Sequence, residues 1–261
     1  VSALPDRAYL FDLDGTLYRG EEAIPGAAAA VARLRDGGAA IRFITNNSSL
    51  TSEAYAAKLR RLGFAADANE LVSSGTATAA YLSGRGHRTA FVLGEEGLRI
   101  TLMGAGIEPA EAPQNPTACV VGICRSLTYA KLDAAMQAIR QGAEFVATNT
   151  DATFPLEGGR FAPGAGSLVA AVATCSGRPP IVMGKPEPAM IRQALASLGV
   201  SPEQALVIGD RRDTDIEAGR RAGCPTWLVL TGVETALTPG DAGSPDITGL
   251  PGLVGQGAEI Q

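Results

Sequence analysis

Histidine is nearly missing from this chain of 261 residues, which has one, His87. A Ser-His-Asp triad or a Cys-His pair would have to rest on that single imidazole. Its setting, Gly84-Arg85-Gly86-His87-Arg88 ahead of an apolar run, reads as a surface loop. Histidine-dependent nucleophilic catalysis is set aside. The four cysteines, Cys119, Cys124, Cys175 and Cys224, form no Cys-x-x-Cys pair and have no histidines beside them. That spacing speaks against both a zinc site and a disulfide framework, and reduced core thiols are expected. Positive charge is scarce too: the formal net charge is -5, and only three of the 22 basic residues are lysines. Without a broad cationic footprint, nucleic acid is not an expected partner. No apolar run reaches the roughly 18 residues of a membrane span. The first residues also lack a basic segment leading into an apolar stretch, so a cytoplasmic protein with no membrane partner is expected.

What the chain does have is core-forming material, 46% hydrophobic against 19% charged, enough for one large domain or two moderate ones. Short apolar runs alternate with helical patterns. Leu10-Phe11 is followed by a helix near 26–36, then Ile41-Arg42-Phe43-Ile44 and a helix near 51–62. This alternation predicts a parallel sheet with crossover helices. Toward the C-terminus the style returns, with a helix near 187–198, the strand Ala205-Leu206-Val207-Ile208, a helix near 215–222 and the strand Thr226 to Leu230. Between these halves runs a second βα pattern: Thr89 to Leu93, a helix near 95–104, Cys119 to Ile123, a helix from Thr128 to Gln141, and Phe145-Val146-Ala147. The expectation is an α/β core over 1–78 and 184–261 with an inserted domain over 79–183. Pro245-Asp246-Ile247 is read as an edge strand.

Chemistry gathers at the predicted strand ends. Asp12-Leu13-Asp14-Gly15-Thr16 follows the apolar run Ala8-Tyr9-Leu10-Phe11. In extended chain, residues i and i+2 share a side, so Asp12 and Asp14 can face one ligand. Two such acids repel unless a cation or a shared proton lies between them. The pair suits one carboxylate that attacks and one that handles protons. An Asx-type turn closing the strand is the competing reading. A helix-loop-helix calcium loop fails, because it would want glycine at Leu17 and glutamate at Ala23. Thr45-Asn46-Asn47-Ser48 follows the second strand and offers hydroxyl, amide and backbone donors, or else caps the next helix. Lys185, in Gly184-Lys185-Pro186-Glu187-Pro188, is biased out of helical geometry by the following proline and can extend an ammonium toward phosphate, although a solvated loop lysine fits the same pattern. In Gly209-Asp210-Arg211-Arg212-Asp213-Thr214-Asp215-Ile216, Asp213 or Asp215 can cap a helix. Asp210, at a strand terminus, suits an oxygen-rich magnesium site shared with Asp12.

Asp-x-Asp-Gly-Thr, Thr-Asn-Asn-Ser, Gly-Lys-Pro-Glu-Pro and Gly-Asp-x-x-x-Thr-Asp-Ile, in this order and over nearly the whole chain, resemble the haloacid dehalogenase superfamily. The long insert, with Thr148-Asn149-Thr150-Asp151 and Pro163-Gly164-Ala165-Gly166, resembles the branch with a large α/β cap that includes nitrophenylphosphatase-like and nucleotide phosphatases. The sequence departs from that branch at Cys124, where an acidic residue often stands. The resemblance implies a three-layer, Rossmann-like parallel-sheet core with an inserted α/β cap, and a phosphatase of small phosphate monoesters. In that scheme Asp12 attacks phosphorus to form an aspartyl-phosphate, Asp14 donates and then accepts a proton, and Thr45 and Lys185 bind the phosphoryl group. Mg2+ would sit on Asp12, Asp210 and the Asp14 carbonyl, with Asp215 orienting that shell. Asn46, Asn47, Asn149 and Asp151 are candidate substrate contacts. The resemblance further implies a homodimer formed through the cap. A phosphotransferase or mutase using the same intermediate, and a non-catalytic phosphate-binding regulator, stay open as alternatives.

Overall fold

The computed structural model describes residues 8–110, 115–155, 160–251 and 253. The chain divides into two compact units. One comprises the residues up to Thr45, Ser52–Val72 and everything from Lys185 onward; the other comprises Asn46–Thr51 and Ser73–Gly184. The first boundary therefore falls at 72/73, where the sequence pattern suggested 78/79. The reason is the helix Ser74–Gly84, which belongs wholly to the inserted unit together with its N-cap Ser73, whose hydroxyl accepts from Thr76 N–H.

The first unit is built on a six-stranded sheet ordered Gly243–Ser244, Thr226–Val229, Ala205–Gly209, Ala8–Asp12, Ala40–Thr45, Leu71–Ser73. Its central strand, Ala8–Asp12, pairs in parallel with Ala40–Thr45 on one side and Ala205–Gly209 on the other. Such a strand is covered on both faces, which is why Ala8-Tyr9-Leu10-Phe11 reads as continuous apolar sequence and is buried throughout. Tyr9, Phe11 and Phe43 pack with Val31, Leu34 and Leu59 from the two following helices, Ala27–Asp36 and Ser52–Arg61. The helix Ala189–Leu198 stops where expected, at Gly199, whose φ of +66° suits a residue without Cβ.

The inserted unit has its own parallel sheet, ordered Ile181–Val182, Glu144–Ala147, Ala118–Val121, Thr89–Leu93, Glu108–Ala110. Phe91, Leu93, Cys119, Val121 and Phe145 form its core with Ala135, Ala138 and Val172 from the helices Tyr129–Arg140 and Ala165–Ser176. The α/β fold class read from the sequence is thus present in both units. Each sheet also has a point where strand order reverses. In the first it lies between Ala8–Asp12 and Ala205–Gly209; in the second, between Thr89–Leu93 and Ala118–Val121.

Three local expectations are corrected. Pro245-Asp246-Ile247 is not a strand: the edge strand is Gly243–Ser244, and Asp246 instead accepts from Thr248 N–H to open a 3₁₀ turn at Ile247–Gly249. The helix near 215–222 begins as a π-helical turn, Arg212–Ile216, before the α-helix Glu217–Ala222. His87 stands in a loop as expected, but its side chain is largely covered rather than solvent-facing. Its Nε2 lies 2.8 Å from Glu144 Oε2 and its Nδ1 2.9 Å from Thr117 Oγ1, with 14% of the side chain exposed. The cysteines are free thiols, and burial pushes Cys119 up to about 12, as suits an inert core position. Among the described residues no helix is long and apolar enough to cross a membrane.

The packing predicts a sharp contrast between two apolar truncations. Phe43, fully buried at 0% exposure, should cost about 3–5 kcal/mol as Phe43→Ala. Ile100, 45% exposed, should cost no more than about 0.5 kcal/mol as Ile100→Ala. Denaturant titration checks both, and comparable losses at the two positions would contradict the assignment of the core.

Candidate active site

Asp12 closes the central strand, and the chain then turns tightly: Leu13 is fully buried and its carbonyl accepts from Leu17 N–H at 2.8 Å. Gly15 is required in this turn. Its φ is +86°, and a Cβ there would lie 2.5 Å from Asp210 Oδ2. Thr231 secures the same turn by donating its hydroxyl to Gly15 O at 2.6 Å. The i, i+2 acids separate in role. The Asp12 side chain is 12% exposed and faces other charged groups, whereas Asp14 reaches solvent on one side while the protein around it still desolvates its carboxyl on the other.

Asp210 leaves the neighbouring strand Ala205–Gly209 at the same sheet edge and is almost fully buried. Val233 N–H donates to its Oδ2 at 2.6 Å, and a Cβ on Gly232 would run into that carboxylate. The π-helical turn carries Asp215 inward. Ile216 N–H bonds Arg211 O at 3.2 Å, five residues back, and Arg211 N–H also donates to Asp215 Oδ2 at 3.1 Å. Lys185, at 3% exposure, lies between the two ends of this system, its ammonium 2.5 Å from Asp12 Oδ1 and 2.5 Å from Asp215 Oδ1. Thr16 donates more weakly to Asp12 Oδ2, at 3.4 Å.

Three carboxylates thus converge, with one oxygen each from Asp12, Asp210 and Asp215 all within 4.8 Å of one another. One ammonium cannot neutralise three acids in a buried site. Burial raises Asp12 well above the usual carboxylate range, and the nearby Asp215 and Asp210 add to this against the pull of Lys185. Burial alone would lower Lys185, but Asp12 and Asp215 overcome it and hold the ammonium above its ordinary value. Asp210 is raised to about 7, by burial and then by Asp215, against the Val233 hydrogen bond and Lys185. The donor set consists of hard oxygens with no imidazole or thiolate, which fits Mg2+ rather than a soft metal. The sequence reading placed Asp215 outside the ligand set, as an orienting residue; its oxygen lies inside the cluster.

The other candidates are placed as follows. Thr45 ends its strand, buried. In the inserted unit, Asn46 donates through Nδ2 to Asp151 Oδ2 at 3.0 Å, and its carbonyl accepts from Asn149 Nδ2 at 2.8 Å and Ser74 Oγ at 2.5 Å. Asn149 is buried and its Oδ1 accepts from Asp151 N–H, so these residues hold one another. Asn47 is exposed and forms an Asx turn, accepting from Ser49 N–H at 2.9 Å. The sequence reading missed Thr231, Gly232 and Val233. They follow the strand Thr226–Val229 at the same carboxyl edge, a signal that extending the strand-end rule by one strand would have caught.

A carboxyl whose folded-state pKa lies above its unfolded value stabilises the metal-free fold at low pH, and that contribution is lost as pH rises through about 7 for Asp210. A divalent cation must displace the same proton. Mg2+ should therefore raise the Tm more at about pH 8 than at about pH 5.5. Thermal unfolding with and without the ion checks this, and an equal or smaller shift at the higher pH contradicts it.

A haloacid dehalogenase-like hydrolase family model matches residues 9–108, and a second model, of HAD-hydrolase-like proteins, matches 182–248. Human glycerol-3-phosphate phosphatase is 41% identical over 254 residues, covering 87% of this chain and 79% of its own. Among solved structures, the p-nitrophenyl phosphatase from Archaeoglobus fulgidus superposes with a TM-score of 0.87 at 32% identity, covering 93% of this chain and 97% of its own. The glycerol phosphate phosphatase from Mycobacterium tuberculosis, solved in complex with magnesium, gives 0.85 at 36% identity over 94% and 77%. With these relatives spanning both halves of the acidic site, the chain belongs to the haloacid dehalogenase-like hydrolases, in the phosphatase branch with a large α/β insert.

Proposed function

We propose that this protein hydrolyses small phosphate monoesters of the polyol, sugar, nucleotide or nitrophenyl type through an aspartyl-phosphate on Asp12. The observation that carries the reading is the division of labour at one sheet edge. Asp12 is fixed by Lys185 at 2.5 Å inside a cluster of acids, while Asp14, two residues on, stays outside that cluster. Asp12 attacks phosphorus in line, one of its oxygens forming the new P–O bond as the ester oxygen leaves. Asp14 gives its proton to the departing alkoxide and then takes one from the water that cleaves the acyl phosphate. Burial raises the Asp14 carboxyl above the usual range, with Lys58 opposing, which favours a group that begins the cycle protonated. Asp12, Asp210 and Asp215 would hold Mg2+, which when bound supplies positive charge against the repulsion between anionic nucleophile and anionic phosphate. Lys185 fixes the rotation of the Asp12 carboxylate and faces the same phosphoryl group, to which Thr45 adds a hydroxyl. Asn46, Asn149 and Asp151, bonded to one another, are assigned the task of holding the peptide that continues from Thr45. Asn47, with its exposed amide, keeps the role of substrate contact.

The leaving group separates the two carboxylates. Asp12→Asn should abolish Mg2+-dependent phosphate release from every ester. Asp14→Asn should reduce turnover of an alkyl ester such as glycerol phosphate by about 10²- to 10⁴-fold. It should affect p-nitrophenyl phosphate far less in the first step, because nitrophenolate departs without a proton. Burst kinetics and trapping of a hydroxylamine-labile phosphate on Asp12 check the scheme. Full activity of Asp12→Asn, or phosphate trapped elsewhere, overturns it.

A further inference from the structure

The inserted unit repeats, on its own sheet, the arrangement that creates the acidic site in the first. Thr89–Leu93 and Ala118–Val121 are adjacent parallel strands, and the chain leaves them toward opposite edges, to Glu108–Ala110 on one side and Glu144–Ala147 on the other. In open α/β sheets the crevice outside the carboxyl ends of two such strands is where ligands bind. Here that crevice has a volume of about 460 Å³, within the range of small-molecule sites, and is bounded by Glu95, Glu96, Arg99, Cys124, Ser126 and Lys131. All six belong to the inserted unit.

The charges on its walls are unevenly satisfied. Glu95 is committed: its Oε1 accepts from Arg125 N–H at 2.7 Å, and its Oε2 lies 3.6 Å from the Arg125 guanidinium. Lys131 donates to Ser126 O at 2.9 Å and Ser126 Oγ at 2.7 Å, which leaves one of its three protons. Arg99 has a contact with Val92 O at 3.5 Å, the outer limit of a hydrogen bond. Among the described residues neither Lys131 nor Arg99 is in an ion pair, although most of the other basic groups with a named polar partner are. With Glu95 held by Arg125, the two half-buried cations Arg99 and Lys131 face one further carboxylate, Glu96 at the rim, and a guanidinium matches the paired oxygens of a carboxylate or phosphate.

We infer that the inserted unit binds a small organic anion, bearing a carboxylate or a phosphate, between Arg99 and Lys131 at its own switch point. The site differs in kind from the acidic one. Acids at the first switch point accept an anion only with a divalent cation between, whereas cations at the second meet the anion directly, so binding there needs no metal. Glu96, exposed at the rim, can accept from a hydroxyl or ammonium of the same ligand.

Metal-free Asp12→Asn protein, kept in EDTA, isolates this site from hydrolysis and from Mg2+. Isothermal titration with inorganic phosphate and, separately, with succinate tells the two anion chemistries apart. At least one should bind, and adding Arg99→Gln with Lys131→Gln should weaken it by about tenfold or more. The same double substitution in the chain with Asp12 intact should leave the Mg2+-induced rise in Tm unchanged, which shows the fold and the acidic site intact. If the double substitution unfolds the protein, Arg99→Gln alone, which gives up the single 3.5 Å contact with Val92 O, is expected to produce the weakening. Absence of binding by both probes, or equal affinity with and without the two cations, overturns the inference and leaves the phosphatase reading untouched.

Discussion

One ammonium among three buried carboxylates is the constraint on which the site depends. Lys185 reaches Asp12 and Asp215 at 2.5 Å each, and Asp210 adds a third acid with an oxygen within 4.8 Å of theirs. If all four groups are charged, the cluster carries excess negative charge where water cannot screen it, so it must take up protons or a cation. The raised carboxyl of Asp210 reflects the first solution and a hard dication supplies the second. An acid used as nucleophile toward an anionic phosphate gains only from the second, since a protonated carboxyl is a poor nucleophile. On the proposed scheme, the excess of acids over bases, unfavourable for the metal-free fold, makes the metal-bound form the one in which Asp12 is ionised and can attack.

Holding three acids so close demands backbone where side chains would collide. A Cβ on Gly15 or on Gly232 would meet the Asp210 carboxylate, and one on Gly209 would meet Asp215. The π-helical turn serves the same end. Its wider winding lets Arg211 N–H bond Asp215 Oδ2 while the carbonyl of the same residue accepts from Ile216, fixing the carboxylate before the ordinary helix begins at Glu217. Strand topology does the rest, because Asp12 and Asp210 lie far apart in sequence yet end adjacent parallel strands whose register pairs Phe11 with Ile208.

Much of this was legible in the sequence, for identifiable reasons. The strand Thr89–Leu93 and the helices Ala27–Asp36 and Ser52–Arg61 emerge from apolar periodicity, because burial on one or both faces leaves a period that composition alone carries. Asp12, Lys185 and Asp210 could be found because each is a charged residue directly after a buried strand or before a core helix. What escaped notice depends on tertiary closure. Ser74–Gly84 is built from small residues with a weak apolar stripe, so its helix was not read and the unit boundary was set at 78/79 instead of 72/73. Asp215 was expected to cap a helix or, by the resemblance, to orient the metal shell, because the π-helical turn that brings its oxygen in among those of Asp12 and Asp210 has no sequence signature. The packing of the loop residue His87 escaped notice because Thr117 and Glu144, which flank it at 2.9 Å and 2.8 Å, are distant in the chain.

For the proposed reaction, the separation of Asp14 from the acid cluster is as necessary as the cluster itself. A fourth acid held among Asp12, Asp210 and Asp215 would compete with them for Lys185 and for the dication and would add to their mutual repulsion. Outside the cluster, Asp14 feels mainly its own partial burial and the opposing charge of Lys58, and the balance raises its carboxyl. Gly15 makes this possible by reversing the chain directly after Asp14, with its N–H bonded to Tyr18 O at 2.8 Å, so the two acids of one short motif end in different electrostatic surroundings. An alternating strand would have placed them side by side, with matched environments and no division between nucleophile and acid. In the proposed scheme the turn, and not the spacing of the two aspartates, is what sets their roles apart.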